Sequence, residues 1–245
     1  MDWDSTCGNY MKAVDLPEGG AGHFRDCIHE VRRQCPAVRF EILTPDFKDC
    51  QEQALDILED ALPFVFAHNV ETVPSLYPRA RAGGDYERSL RLLRLAKDRY
   101  ASVSRTRDRG QKTEDEQSRG SFRLAAASDG AGAAPRQTQP ERAAQPQPVC
   151  DVRPLVGTKS SIMLGLGETE EEVEQVLRDL RSAGCDRITI GQYLKPAKDA
   201  LDVVEYIRPE KFAWWKQRAR EIGFTWVLSA PFARSSYFAE QEGAR

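Results

Sequence analysis

Residues 159–193 read KSSIMLGLGETEEEVEQVLRDLRSAGCDRITIGQY. The apolar run over 159–166 predicts a strand, and Thr169 with Glu172 forms the capping-box pattern that opens a helix. An apolar helix face and then a glycine follow, and 186–193 predicts a second strand. Strand, helix and strand in this order predict a parallel pair joined by a right-handed crossover.

The same alternation continues in both directions along the chain. Further strands are predicted over 39–44, 64–67 and 224–229, and further helices over 22–35, 85–100 and 209–222. One more helix follows Asp49, which we expect to cap it, and ends before Pro63. The pattern predicts an α/β fold with a parallel sheet, in which functional sites form where strands end.

Composition excludes several classes of partner. The chain has 245 residues, a net charge of −3 and a pI of about 5.8, so no overall field favours nucleic acid or an anionic membrane. The longest apolar run, 61–67, is too short to span a bilayer, and the acidic first 20 residues are unlike a signal or transit peptide. We therefore expect neither a nucleic-acid nor a membrane partner.

One internal segment breaks the alternation. Residues 101–156 are rich in Arg, Gln, Ser, Ala and Pro, and 125–148 contain no large apolar residue. Such a composition predicts a disordered low-complexity insertion.

Polar and glycine residues cluster where the predicted strands end. In HNVET (68–72), Asn69 and Glu71 could hold an amine, a ribose or a metal-bound ligand, or could form a capping turn. The GLGE sequence (165–168) could bring its backbone to an anion at a helix N-terminus, although a plain tight turn is favoured.

Three further positions belong to the same class. Lys159 begins a strand, where it could be a ligand or a structural edge residue, and Gln192 ends one. The RSSY sequence (234–237) places two hydroxyls beside Arg234, which suits recognition of an anion or ligation of a metal, or a surface loop.

The cysteines give no metal signature by spacing. No CxxC, CxxxCxxC or CxxH pattern occurs, and reduced, buried or indifferent thiols are favoured over a disulfide framework. The six are Cys7, Cys27, Cys35, Cys50, Cys150 and Cys185.

Several long motifs, in one order, closely resemble the lipoyl synthase family of radical S-adenosylmethionine (SAM) enzymes. They cover roughly 14–100 and 157–241. The matching stretches are LPEGGAGHF (16–24), EILTPDF (41–47), HNVETVPSLYPRAR (68–81), DYERSLRLL (85–93), TKSSIMLGLGETEEEV (158–173), TIGQYLKP (189–196), YIRPEKFAWW (206–215) and ARSSY (233–237).

The resemblance implies a partial TIM-type (β/α)₆ radical SAM barrel that lacks its first strands. Family members insert two sulfur atoms into an octanoyl chain on a lysine of a lipoyl-carrier domain. Two [4Fe–4S] clusters and SAM carry the chemistry, one cluster cleaving SAM and the other giving up sulfur. The implied organisation begins with an unmatched segment at 1–13. The first barrel part follows at 14–100, the insertion at 101–156 and the second barrel part at 157–241.

The resemblance also assigns site residues. It implies that Ser236 of the RSSY sequence is a ligand of the auxiliary cluster. It implies that five other residues face the SAM and substrate cavity, namely Asn69, Glu71, Lys159, Gln192 and Arg234.

The chain departs from the family pattern at the cluster ligands. The family's CxxxxCxxxxxC and CxxxCxxC sets do not occur, so we expect the chain as written to be inactive. Three alternatives to an active enzyme remain: a non-catalytic protein that binds carrier domains, a fragment produced by a faulty gene model, and a phosphate-binding βα protein.

The resemblance finally implies partners and a compartment. The partners are octanoylated lipoyl-carrier domains, such as the E2 subunit of 2-oxoacid dehydrogenases and the glycine-cleavage H protein. Proteins that deliver iron–sulfur clusters and a reductant are implied as well. The family is cytoplasmic in bacteria and mitochondrial or plastidial in eukaryotes.

Overall fold

The predicted parallel sheet is present. The structure is a computed structural model, and it describes residues 16–100 and 157–235. Five parallel strands lie side by side in the order in which they occur in the chain. They are β1 (Glu41–Leu43), β2 (Val65–Ala67), β3 (Gly157–Leu164), β4 (Arg187–Gln192) and β5 (Trp226–Ser229).

Helices separate the strands, as the alternation predicts. They are α1 (Ala21–Gln34), α2 (Gln51–Glu59), the single turn α3 (Tyr77–Ala80), α4 (86–100), α5 (Glu170–Ser182) and α6 (Pro209–Ile222). The capping box is formed, because the Thr169 hydroxyl accepts from the Glu172 amide while the Glu172 carboxylate accepts from the Thr169 amide. No described helix has the length and apolar character that crossing a membrane requires.

The predicted cap at Asp49 is wrong. Residues Lys48–Cys50 form a short 3-10 turn, and no side chain caps the first turn of α2. Phe47, just before that turn, has a left-handed backbone (φ 54°) and a buried ring. The chain therefore enters α2 through a left-handed residue and a 3-10 turn, with Cys50 rather than Asp49 at the N-cap position.

The helices cover one face of the sheet, here called the outer face. Phe66 of β2 and Ile162 of β3 lie on it, in one core cluster with Leu177 of α5 and Trp215 of α6. Fully burying a large apolar side chain stabilises a fold by about 1.5–3 kcal/mol, so this layer supplies most of the stability. Because side chains alternate along a strand, neighbouring residues such as Lys159 point to the opposite, inner face.

The inner face is curved. The ammonium of Lys159 on the central strand β3 lies 2.8 Å from a carboxylate oxygen of Glu41 on β1. The same ammonium lies 4.8 Å from the ring centroid of Trp226 on β5. One side chain therefore touches both outermost strands of the described sheet, which fits a partial barrel that is not closed. The α/β fold class is confirmed.

The amino-terminal edge of the sheet is organised by Asp186, just before β4. Its carboxylate accepts from Lys97 Nζ near the end of α4, at 2.7 Å, and from the Thr158 amide at the start of β3, at 3.3 Å. One carboxylate thus links the helix that precedes 101–156 to the strand that follows it. Residues 101–156, which we predicted to be disordered, lie outside the described residues. The domain bounds predicted from the sequence remain predictions.

His68 belongs to the fold rather than to the predicted polar site. Its Nδ1 lies 2.9 Å from the Thr44 carbonyl, and its Nε2 lies 3.0 Å from Ser89 Oγ on α4. Burial, reinforced by the nearby charge of Arg81, lowers the pKa of His68 to about 4.

A pH dependence follows from His68. In the unfolded chain the pKa of His68 is near 6.5. Between pH 6.5 and pH 4 the unfolded chain therefore protonates His68, whereas the folded protein keeps it neutral. Stability is expected to fall as pH drops from about 6.5 towards 4, by about 2 kcal/mol at pH 5 from this residue alone. Urea unfolding at several pH values measures the loss, and His68→Gln should flatten the curve in that interval. An unchanged slope in the variant would contradict the assignment.

Candidate functional site

The residues that follow β5 cross the carboxyl-terminal edge of the sheet. We call residues 230–235 the arm. Its first amide, of Ala230, donates to the Ile190 carbonyl at 3.1 Å, and the Gln192 amide donates to the Pro231 carbonyl at 3.1 Å. The arm therefore leaves β5 and passes over the end of β4.

The arm comes very close to β4 at Gly191. A Cβ atom at this position would stand 2.3 Å from the Ala233 carbonyl oxygen and 3.1 Å from a guanidinium nitrogen of Arg234. Any side chain here would displace the arm. Arg234, which the resemblance assigns to the cavity, donates to the Ala233 carbonyl at 2.7 Å and lies over the inner face.

Lys159 receives the end of the arm. Its ammonium donates to the Ser235 carbonyl at 2.7 Å and to both carboxylate oxygens of Glu41, at 2.8 and 2.9 Å. The side chain is completely buried, and Trp226 lies against it. Lys159 is therefore engaged by protein groups, whereas the sequence predicted contact with a cofactor, which remains a prediction.

Asn69 lies next to the same point. Its Nδ2 donates to Ser235 Oγ at 3.4 Å, a long hydrogen bond. Its Oδ1 is buried and has no hydrogen-bond partner among the described residues, and the same holds for Thr189 Oγ1 on β4. Since Thr189 lies between two core residues of β4, it points to the inner face. Two buried oxygens can thus accept hydrogen bonds from a ligand that brings N–H or O–H groups.

Gln192 holds the loop that follows it. Its Nε2 donates to the carbonyls of Tyr193, at 3.1 Å, and Glu205, at 2.9 Å, while its Oε1 accepts from the Ile207 amide at 2.9 Å. Three backbone groups thus engage the amide of this buried side chain. The predicted cofactor contact of Gln192 is not tested by this arrangement and stays a prediction.

Glu71 acts on the sheet through its backbone. It has a left-handed backbone (φ 65°), accepts from the Met163 amide at 2.8 Å and donates to the Ser161 carbonyl at 3.1 Å. These bonds extend the contact between the β2 exit and β3 beyond the regular ladder. Its predicted cofactor role likewise stays a prediction.

The GLGE sequence forms a tight turn. The Glu168 carboxylate accepts from the amides of Gly165, at 2.5 Å, and Leu166, at 2.9 Å. The chain's own carboxylate therefore occupies the amides that could have received an anion. This favours the structural interpretation of the motif.

The four described cysteines differ in exposure and lie on different parts of the fold. Cys27 and Cys35 are exposed on or next to α1, and Cys50 is partly buried. Burial raises the pKa of Cys185 to about 12, so its thiol stays protonated near neutral pH. Within 16–100 and 157–235, no three His, Cys, Asp or Glu side chains lie where they could hold a metal ion. Ser236, the predicted cluster ligand, lies outside the described residues.

Sequence patterns missed three inner-face residues. Glu41 and Trp226 each stand in a predicted strand, and both contact Lys159. The third is Thr189, whose buried hydroxyl finds no hydrogen-bond partner within 16–100 and 157–235. A charged residue inside a short parallel strand was the available signal for Glu41, because such strands are usually apolar throughout.

Comparison with known proteins gives one consistent result. The chain is 41% identical over 230 residues to a lipoyl synthase of Methylococcus capsulatus, covering 94% of this chain and 55% of that protein. It is 39% identical to a lipoyl synthase of Thiobacillus denitrificans, covering 94% of this chain and 57% of that protein. A lipoyl synthase of Burkholderia mallei is 41% identical over 226 residues, with 92% and 53% covered. The chain spans a little over half the length of these curated relatives, and no model of a protein family matches it.

Proposed function

Because this chain belongs to the lipoyl synthase family, we propose that it takes part in lipoate biosynthesis. In its full form, the proposed reaction is radical insertion of two sulfur atoms into an octanoyl chain on a lysine of a lipoyl-carrier domain. The observation that carries the proposal is identity near 40% across 94% of the chain. The arm, laid across the polar inner face of a parallel sheet, supports it structurally.

The inner face offers hydrogen-bond acceptors that suit SAM as a ligand. Asn69 Oδ1 and Thr189 Oγ1 are buried acceptors without partners among the described residues. A ligand with an ammonium group and ribose hydroxyls can supply the donors that both oxygens lack. SAM would supply the radical chemistry of the proposed reaction. The chain's own residues would bind and orient it and exclude water.

The described residues do not fit a [4Fe–4S] cluster. The four described cysteines are scattered over α1, the entry to α2 and the turn after α5, and the Cys185 thiol is buried and protonated. We therefore propose that this chain, as written, does not load two clusters.

Anaerobic reconstitution with iron and sulfide tests the cluster proposal. The expected result is iron well below the roughly eight atoms that two [4Fe–4S] clusters require. A brown protein with about eight iron atoms per chain would overturn the proposed inactivity and support the complete enzyme.

The partner is tested separately from the clusters. We expect the 245-residue chain to bind an octanoylated carrier domain at least tenfold more tightly than the same domain without the octanoyl group, measured by titration calorimetry. An E2 lipoyl domain and a glycine-cleavage H protein are the two proposed ligands. If the octanoylated and the unmodified domain bind equally well, or neither binds, the proposed function of this chain is wrong. Tight binding of a sugar phosphate would favour the phosphate-binding alternative.

Binding without iron would support the second candidate, a non-catalytic protein that recognises carrier domains. The placement of the described cysteines favours it. Proteins that deliver iron–sulfur clusters and electrons are partners only if the chain is the sulfur-inserting enzyme.

A further inference from the structure

A buried charge on the inner face needs compensation. Lys159 has no exposed surface, and the side chain of its carboxylate partner Glu41 is only 14% exposed. A buried ammonium is tolerated when it is paired and its donors find acceptors. Part of that compensation comes from the arm, because the Ser235 carbonyl lies 2.7 Å from Nζ.

The contact with Ser235 is the inner anchor of the arm. At its start, the arm is bonded to β4 through Ala230 and Pro231. At its end, the Lys159 bond is short and charge-assisted, whereas the bond from Asn69 to Ser235 Oγ is long at 3.4 Å. Lys159 thus makes the stronger of these two contacts with Ser235.

We propose that the Glu41–Lys159 ion pair is a positioning pair that fixes the arm across the inner face of the sheet. Glu41 holds the ammonium over the inner face, and the ammonium holds the Ser235 carbonyl. The pair thereby sets the point from which the chain continues beyond Ser235. The proposal rests on the proposed function only in treating the arm as part of the active site.

Reactivity of the Lys159 amine tests the anchor. In the full chain, Lys159 should resist acetylation by a succinimidyl ester, read out by mass spectrometry. In a chain that stops after Arg234, the carbonyl partner is gone, and we expect acetylation of Lys159 to become at least tenfold faster. Lys97, which is bonded to Asp186 at the other edge of the sheet, serves as an internal control. Equal protection of Lys159 in both chains would overturn the proposal.

Ser235→Ala provides the matched control. It removes the hydroxyl that meets Asn69 and keeps the carbonyl that meets Lys159. Protection of Lys159 should persist in this variant. Loss of protection would show that the hydroxyl, not the carbonyl, holds the arm.

The reciprocal measurement uses hydrogen exchange in Lys159→Met. The Gln192 and Ala233 amides, whose acceptors lie in the arm, should exchange at least tenfold faster. The Ile190 amide, which lies within the ladder of β3, β4 and β5, should stay protected. Gly191→Ala, which displaces the arm at Ala233 without touching the ion pair, is the positive control and should expose the same two amides. Unchanged exchange in Lys159→Met would refute the anchor, and if that variant fails to fold, the acetylation of the shortened chain decides.

The acetylation and hydrogen-exchange experiments require no iron, no SAM and no carrier domain. A failure of the anchor would leave carrier binding intact, and a failure of carrier binding would leave the protection of Lys159 intact. The two ideas can therefore fail separately.

Discussion

The free energy of unfolding is expected to fall by about 3–5 kcal/mol when Glu41 is replaced by alanine, because the variant leaves the Lys159 ammonium buried without its carboxylate. The Ser235 carbonyl and the face of the Trp226 ring also contact the ammonium, and each is a weaker partner for a full positive charge than a carboxylate. Urea denaturation with a two-state fit measures the loss.

A double variant separates loss of the pair from loss of packing. Replacing both residues, as Glu41→Leu with Lys159→Met, removes the two charges together, and such replacements are often close to neutral. We expect the double variant to be more stable than Glu41→Ala. If Glu41→Ala costs less than about 1 kcal/mol, the charge is compensated by groups other than Glu41.

A second large effect is expected at Gly165, where β3 ends. The residue has φ 101°, and an added Cβ would stand 2.3 Å from both Gln192 Nε2 and the Glu205 carbonyl. Gly165→Ala should therefore destabilise the protein by roughly 2–4 kcal/mol, since backbone strain alone costs about 1–3 kcal/mol. It should also release the loop over 193–208 from Gln192.

Denaturation and limited proteolysis measure the two consequences at Gly165. Cleavage within 193–208 should appear before global unfolding. Gly22→Ala is the matched control, because nothing lies within 4 Å of an added Cβ in the first turns of α1. That control should be neutral or stabilising by up to about 1 kcal/mol. Equal behaviour of the two variants would mean that the close approach at Gly165 does not matter.

Local rules predicted the elements well. The capping box at Thr169 and the left-handed Gly184 and Gly223 after α5 and α6 follow from nearby residues alone, and all three are present. The alternation of strands and helices predicted a parallel sheet, and all four strand pairs are parallel. The cap predicted at Asp49 is wrong, because the chain enters α2 through a 3-10 turn over Lys48–Cys50 that puts Cys50 at the N-cap position.

Contacts across the inner face could not be predicted by the same rules. Glu41 and Trp226 meet at Lys159 only because the sheet curves, and hydrophobic periodicity carries no information on curvature. Resemblance to a family predicts that Lys159 faces the cofactor and substrate cavity, and that stays a prediction. It did not reveal that the side chain is engaged by a carboxylate and a main-chain carbonyl, since a motif records residue types and not their partners.

The carboxylate of Asp186 has a practical consequence for engineering. By joining Lys97 to Thr158, it holds the two boundaries of 101–156 together at the rim opposite the arm. Closing a loop there costs little whatever its length, since each doubling adds only about 0.6 kcal/mol. We therefore expect that a segment of different length, from a few glycines to a whole reporter domain, can be inserted at this junction without disturbing the edge of the sheet that carries the arm.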